Sequence, residues 1–300
     1  MRRHVDGVLL LDKPRGLSSN AALQRVKRIY RAEKAGHGGT LDPLASGLLP
    51  LMFGEATKFA ARMLEADKRY LARVKLGETT ATGDAEGPVL QTRDVQVRDD
   101  QIEAALCQFR GRIMQTPPMY SALKVKGKPL YELARNGQTV ERAPRGVDIR
   151  RLELLSRSED CLELDIECSK GTYIRTLAMD LGEALGTGAH LSELRRTGAG
   201  LFSAADAVGL EFLDATPDDA TLDAQLIPLE RLFSGLPRVE LSALESARFR
   251  NGQALAARFD AHGMCGVFTE QGELIGLANA APDGVLRAVR LCATSAAASG

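Results

Sequence analysis

The eleven residues from His37 to Gly47, HGGTLDPLASG, hold one carboxylate, Asp42, among small and turn-forming neighbours. Pro43 fixes its own φ and steers Asp42 away from the helical region, while glycines at 36, 38, 39 and 47 permit left-handed or closely approached backbone. A carboxylate presented from such a shaped loop could attack an electrophilic carbon or accept a proton. The same pattern also suits a plain Asp-Pro turn in which Asp42 bonds only its own backbone.

Other segments carry candidate chemistry. Asp67-Lys-Arg-Tyr70 places a ring and two cations just before a strand, where Tyr70 could stack on a base and the cations meet phosphates; packing and plain exposed charge are the alternatives. In Ser169-Lys-Gly-Thr-Tyr-Ile-Arg175-Thr a strand ends, glycine turns the chain, and Tyr173 and Arg175 open a helix. A cation in a first helical turn opposes the macrodipole, so Arg175 calls for a nearby carboxylate or else plain exposure. Pro117 to Lys128 is a basic, proline-started stretch that suits either an RNA-facing loop or a solvated one. His37 has no partner histidine at ligand spacing, which favours a structural or stacking role over metal binding.

The elements that must position these groups alternate along the chain. Gly7–Leu11 reads as a buried strand, and Ser19 as the cap of a helix with Leu23, Val26 and Tyr30 on one stripe. Tyr70–Leu76 reads as a strand, 77–88 as a turn-rich loop, and Asp100 as the cap of a helix burying Ile102, Ala105, Leu106 and Phe109. Leu162, Leu164, Ile166 and Cys168 alternate with acids, as in a strand with one wet face. A helix should run from about Tyr173 to Leu185, ended by Gly186. The composition changes near 233–237; beyond it the pattern predicts a short helix ending at Asn251–Gly252 and strands at 265–269, 273–278 and 285–292. The fold class is α+β, with a division into residues 1–234, 235–292 and a frayed tail at 293–300.

Three hundred residues with 44% hydrophobic side chains can bury a large core, consistent with one large domain and a small one. The apolar run at 7–11 is far too short for a membrane span or a signal peptide. Five cysteines without CxxC spacing and four scattered histidines predict a reduced, cytoplasmic chain with no metal site. The net charge of zero hides an asymmetry: residues 1–75 hold 15 Lys/Arg against 7 Asp/Glu, whereas residues 206–300 hold 7 against 13. The first part suits a polyanion or a solvated charged surface.

Together GHGGTLDPLASGLLPLMFGEATK (36–58), DKRY (67–70), PPMYSALKVKGKPLYELAR (117–135), CSKGTYIRTLAMDLGEALG (168–186) and HLSELRR (190–196) resemble the bacterial TruB family of tRNA pseudouridine synthases, and GVLLLDKPRGLSSN (7–20) fits too. The resemblance covers nearly all of residues 7–235; the last part resembles, more weakly, the PUA-related RNA-binding module of that family. Gly38 and Ser46 stand where the family usually has Thr, and Thr197-Gly-Ala-Gly200 is less basic than its usual counterpart. The resemblance implies a pseudouridine synthase fold: a mixed, mostly antiparallel central sheet flanked by helices, plus a small β-rich PUA-like domain. It implies isomerisation of uridine 55 in the T loop of tRNA on a flipped-out nucleotide, by a cytoplasmic monomer that needs no cofactor and no metal. By the same matching, Asp42 is the catalytic residue, Arg175 its charge partner, and Tyr70 stacks on the uracil and assists proton removal from C5. His37 would hold the flipped-out arrangement, while Tyr173 and Leu194 would line the base pocket.

Such chemistry also explains a single essential carboxylate. A glycosidase normally needs a second carboxyl group to protonate the leaving group or activate water. An isomerase that reattaches its own leaving group consumes no water. Two other readings remain at this stage: a non-catalytic RNA-binding or tRNA-folding protein, and a nucleoside or glycoside hydrolase pairing Asp42 with Asp12 or Asp84.

Overall fold

The computed structural model describes residues 1–121, 123–125, 127–256 and 262–293. Its first strand, Gly7–Lys13, is buried on both faces: Leu9 and Leu11 enter the core beneath the helices, while Val8 and Leu10 enter a second core on the opposite face. An apolar run without alternation is what a doubly covered strand requires.

That strand belongs to a ten-stranded sheet. Its main path runs Val208–Gly209, Gly7–Lys13, Ser46–Phe53, Ala189–Ala199, Lys68–Leu76, Cys161–Cys168, Arg145–Arg157 and Gly111–Gln115, with two short strands off this path. Along the path the first strand pairs in parallel with Val208–Gly209, and Ser46–Phe53 in parallel with Ala189–Ala199; the other pairs are antiparallel. The helices Ser19–Ile29, Asp99–Phe109 and Ile174–Ala184 cover one face through residues such as Val26, Leu106 and Leu177. The fold is α+β.

Two helix starts differ from the sequence reading. Ser18, not Ser19, caps the first helix by accepting from Ala21 N at 3.1 Å. Ser19 is the first helical residue and turns inward, because its hydroxyl is needed elsewhere. The Asp99–Phe109 helix begins one residue before Asp100, which bonds Arg98 through its carboxylate, while Gln101 Oε1 accepts from Arg98 N. The 77–88 stretch contains a short strand, Glu78–Thr80, paired with Val89–Thr92. The Cys161–Cys168 strand alternates buried and wetter positions, and the Ile174–Ala184 helix stops before Gly186 at φ +76°, both as the pattern predicts.

A five-stranded sheet follows, ordered Arg238–Leu241, Gly263–Thr269, Leu274–Ala280, Val285–Leu291 and Leu255–Ala256. Its own core holds Val239, Phe249, Val267 and Ile275. Phe268, Leu274 and Leu277 instead join Val8, Leu48 and Met52 in the second core of the large sheet. The tail expected to fray lies, beyond Ala293, outside the described residues.

Candidate active site

Asp42 projects from the loop between the strands Ala35–His37 and Ser46–Phe53. Three groups hold that loop. The Ser19 hydroxyl accepts from Leu41 N at 2.7 Å and donates to Leu41 O at 2.9 Å. Gly16 N donates to Pro43 O at 2.8 Å. Arg196, only 1% exposed, donates Nε to Leu48 O at 2.7 Å and its terminal nitrogens to Gly39 O and Thr40 O at 3.1 and 3.4 Å. The backbone of Arg196 approaches Gly47 so closely that a Cβ there would lie 2.3 Å from Arg196 O, and Gly47 also holds φ +96°. Only glycine fits both demands. At Gly38 an added Cβ would meet Met63 Cβ at 2.5 Å, so here Met63 occupies the space that a larger residue at 38 would need.

Arg175, on the first turn of its helix, reaches Asp42 Oδ2 through Nη2 at 2.9 Å and lies 3.6 Å through Nε from Asp84 Oδ2. The carboxylate demanded by a cation at a helix start is thus present twice. Arg175 also donates to Thr82 O and Tyr120 O at 3.1 and 2.6 Å, so its donors are aimed from several directions at once. Asp84 is buried and accepts from the Thr82 hydroxyl at 2.5 Å and from Glu86 N at 3.1 Å. Asp42 is half-buried, and its environment pulls in two directions: burial raises its pKa, Arg175 lowers it, and the Asp84 charge raises it again. The net direction is upward from the ordinary carboxylate value. Lys13, fully buried at the end of the first strand, bonds Pro14 O and Leu17 O; burial lowers its pKa to about 8 against the pull of Asp42 and Glu86.

Two cavities meet at this pair, and Asp42 and Arg175 line both. The first, about 550 Å³, is also lined by Tyr70, Tyr173, Leu194 and Arg196. Tyr70 is 8% exposed; burial raises its pKa, against the opposing charge and hydrogen bond of Arg196, its cross-strand neighbour. Tyr173 is fixed by Gln115, whose amide accepts from Tyr173 N at 3.1 Å and donates to Tyr173 O at 3.3 Å. The second cavity, about 590 Å³, has His37, Asp84, Glu86 and Tyr120 in its walls. His37 therefore lines a different cavity from Tyr70. Its Nδ1 is buried without a hydrogen-bond partner among the described residues, and burial followed by the charge of Arg196 lowers its pKa. Asp12, the other acid weighed from sequence, is engaged by Arg195 in a two-bonded ion pair at 2.7 and 3.0 Å. The described part of 117–128 lies beside the cavities through Tyr120, Ser121 and Leu123; Ala122 and Lys126 are outside the described residues.

Sequence reasoning passed over Arg196, Lys13, Ser19 as a loop anchor and Gln115. A lysine ending an apolar strand run was a signal available for Lys13. Among the described residues no three His, Cys, Asp or Glu side chains cluster as a metal would require, and no helix is long and apolar enough to cross a membrane.

A mixed central sheet flanked by helices, followed by a small β-rich sheet, is the fold of a pseudouridine synthase. The fold matches the crystal structure of a Cbf5-Nop10-Gar1 complex with TM-score 0.74 and 28% identity, covering 96% of this chain and 84% of that one. It also matches the structure of an H/ACA RNP bound to a substrate RNA containing 2′-deoxyuridine, with TM-score 0.69 and 28% identity over 92% of this chain and 78% of that one. The chain belongs to the TruB family. Residues 27–174 match the N-terminal domain of the TruB family pseudouridylate synthases, 175–234 the tRNA pseudouridylate synthase B C-terminal domain, and 237–292 the C-terminal region of pseudouridine synthase II TruB. A tRNA pseudouridine synthase B of Burkholderia mallei is 57% identical over 98% of this chain and 99% of its own length. One of Aromatoleum aromaticum is 53% identical over 99% of this chain and 96% of its own.

Proposed function

We propose that this protein converts uridine 55 in the T loop of tRNA to pseudouridine, with Asp42 as the catalytic group. The observation that carries the reading is the Asp42–Arg175 ion pair at the wall of a cavity shared with Tyr70 and Leu194. The N1–C1′ bond of uridine breaks, the uracil turns, C5 bonds to C1′, the C5 proton leaves and N1 ends protonated. No atom is gained or lost overall. Asp42 either attacks C1′ or removes the 2′-proton to give a glycal; in both cases it must be ionised when the nucleotide arrives, and Arg175 opposes the burial that would protonate it. Tyr70 is assigned to stacking on the uracil and to the C5 proton, Tyr173 and Leu194 to the base walls, and His37 to the displaced loop nucleotides in the neighbouring cavity.

C1′ and C5 are inaccessible in a stacked base, so the nucleotide must flip out, at a cost of a few kcal/mol offset by basic and aromatic contacts. Residues 1–234 are assigned to catalysis and 235–292 to a PUA-like RNA-binding module, in a monomer acting in the cytoplasm. The names of the relatives support tRNA as substrate. A hydrolase reading is disfavoured because Asp84 is already engaged by Arg175, Thr82 and Glu86 N, and Asp12 by Arg195.

The test is incubation with unmodified tRNA and base-specific mapping of pseudouridine. Conversion confined to position 55, no free uracil, and its loss in Asp42→Asn with RNA affinity retained are the expected results. Substantial turnover by Asp42→Asn would remove Asp42 from its role, and released uracil would favour hydrolysis.

A further inference from the structure

Lys68 is a buried cation for which the chemistry above has no use. It is 8% exposed and lines the Tyr70 cavity, with Leu64 and the turn at Ser169–Thr172 near it on the cavity wall. Its ammonium donates to Leu64 O at 2.7 Å and Ala66 O at 2.5 Å. An ammonium carries three hydrogens, so one remains for another acceptor.

Among the described residues no carboxylate supplies it. The two acids closest in sequence are turned to other partners, Glu65 to Lys170 and Asp67 to Arg150. Across the strands stand Cys168, whose thiol burial pushes up to about 11 and so keeps neutral, and Ala199. The remaining strong neighbour, Arg196, has the same sign and is itself satisfied by carbonyl oxygens. Two desolvated cations thus line the cavity, Lys68 with two carbonyl bonds and no ion pair of its own among the described residues, an arrangement that costs free energy until an anion enters. Asp42 is paired with Arg175, whereas Lys68 bonds the carbonyls of Leu64 and Ala66, so the two groups are held by different stretches of the wall of one cavity.

We propose that Lys68 binds a backbone phosphate of the nucleotide whose base enters the Tyr70 cavity, and so selects polynucleotide over free nucleoside. The assignment rests on the reading of that cavity as a uridine site in RNA. Burial, helped by Arg196, lowers Lys68 to about 8, so the seat loses its charge just above neutral pH; a bound phosphate would restore the proton. The other groups facing it are Arg196, the Cys168 thiol, which burial pushes up to about 11, and Glu65 and Asp67, which are paired with Lys170 and Arg150.

The probe is a set of T-arm stem-loops with one neutral methylphosphonate at each phosphate flanking the target uridine. With wild-type protein near pH 7, one position should weaken binding about tenfold, the worth of one charge-assisted contact. That penalty should shrink towards none near pH 9, be absent in Lys68→Met, and persist at the higher pH in Lys68→Arg. A penalty of equal size in Lys68→Met, or no sensitive position in the wild type, overturns the proposal. Should Lys68→Met fail to fold, the wild-type series decides alone: a penalty unchanged by pH overturns it. Pseudouridine formation on the unmodified stem-loop, measured alongside, separates the two readings, since its absence counts against the uridine site and its presence with a pH-independent penalty counts against Lys68 alone.

Discussion

Ser19 and Leu41, twenty-two residues apart, are joined twice, hydroxyl to amide and hydroxyl to carbonyl, at 2.7 and 2.9 Å. The first helix thereby fixes the residue preceding Asp42. Ser19→Ala leaves two buried backbone groups without their partner, which should cost about 1–3 kcal/mol in urea unfolding. Because the loop would then sample other positions, kcat should fall more than KM rises. A variant with normal stability and normal kcat would show that the loop is held adequately by Arg196 and Gly16.

Arg175→Met strips the cation from Asp42 and from buried Asp84 together. Loss of one partner of a buried pair costs about 3–5 kcal/mol, and conversion at saturating tRNA should drop at least about a hundredfold. Arg175→Lys keeps the charge but cannot span both carboxylates and the two carbonyls, so it should recover stability better than rate. Thermal unfolding beside single-turnover conversion separates the two effects; equal recovery of both would contradict the positioning role.

The pKa of Asp42 is raised on folding, and its sign has opposite consequences for stability and activity. Between the unfolded and folded values the native state holds the extra proton, so Asp42's contribution to stability falls as pH rises through that window. Activity needs the carboxylate and rises over the same window. The acid limb of kcat/KM should therefore lie above the ordinary aspartate range of about 3.9. Asp84→Asn removes the neighbouring negative charge and should shift that limb to lower pH, whatever it does to the maximum rate. A limb that stays in place would mean that Asp84 does not sense Asp42.

Truncation after Ser234 should retain conversion at saturating tRNA with a higher KM, since none of Asp42, Tyr70 or Arg175 lies beyond it. It should also lose stability, because Phe268, Leu274 and Leu277 pack with Val8, Leu48 and Met52. A melting temperature lowered by several degrees, as expected for loss of about 1 kcal/mol or more, would accompany activity retained in the cold. Collapse of kcat in a folded truncation would assign the last sheet a share in shaping the site.

The sequence by itself marked part of the elements and the loop that presents Asp42, but not the strands Ser46–Phe53, Gly111–Gln115, Arg145–Arg157 and Ala189–Ala199. Period-two alternation in 161–168 and the glycine stop at 186 are local signals, read from neighbours in the chain. The Pro and Gly pattern around Asp42 likewise marks a loop without reference to anything distant. Caps were less legible, since Ser18 and Ser19 have equal chemistry and only the position of Leu41 decides which one turns inward. Tertiary structure alone decided that Asp84 reaches Arg175, that Arg196 stands across from Tyr70 while its guanidinium holds Gly39 and Leu48, and that His37 faces a different cavity from Tyr70. The contacts of Arg196 depend on strand order and register, which bring residues more than a hundred positions apart within hydrogen-bond distance, and no local pattern of side chains encodes such a distance.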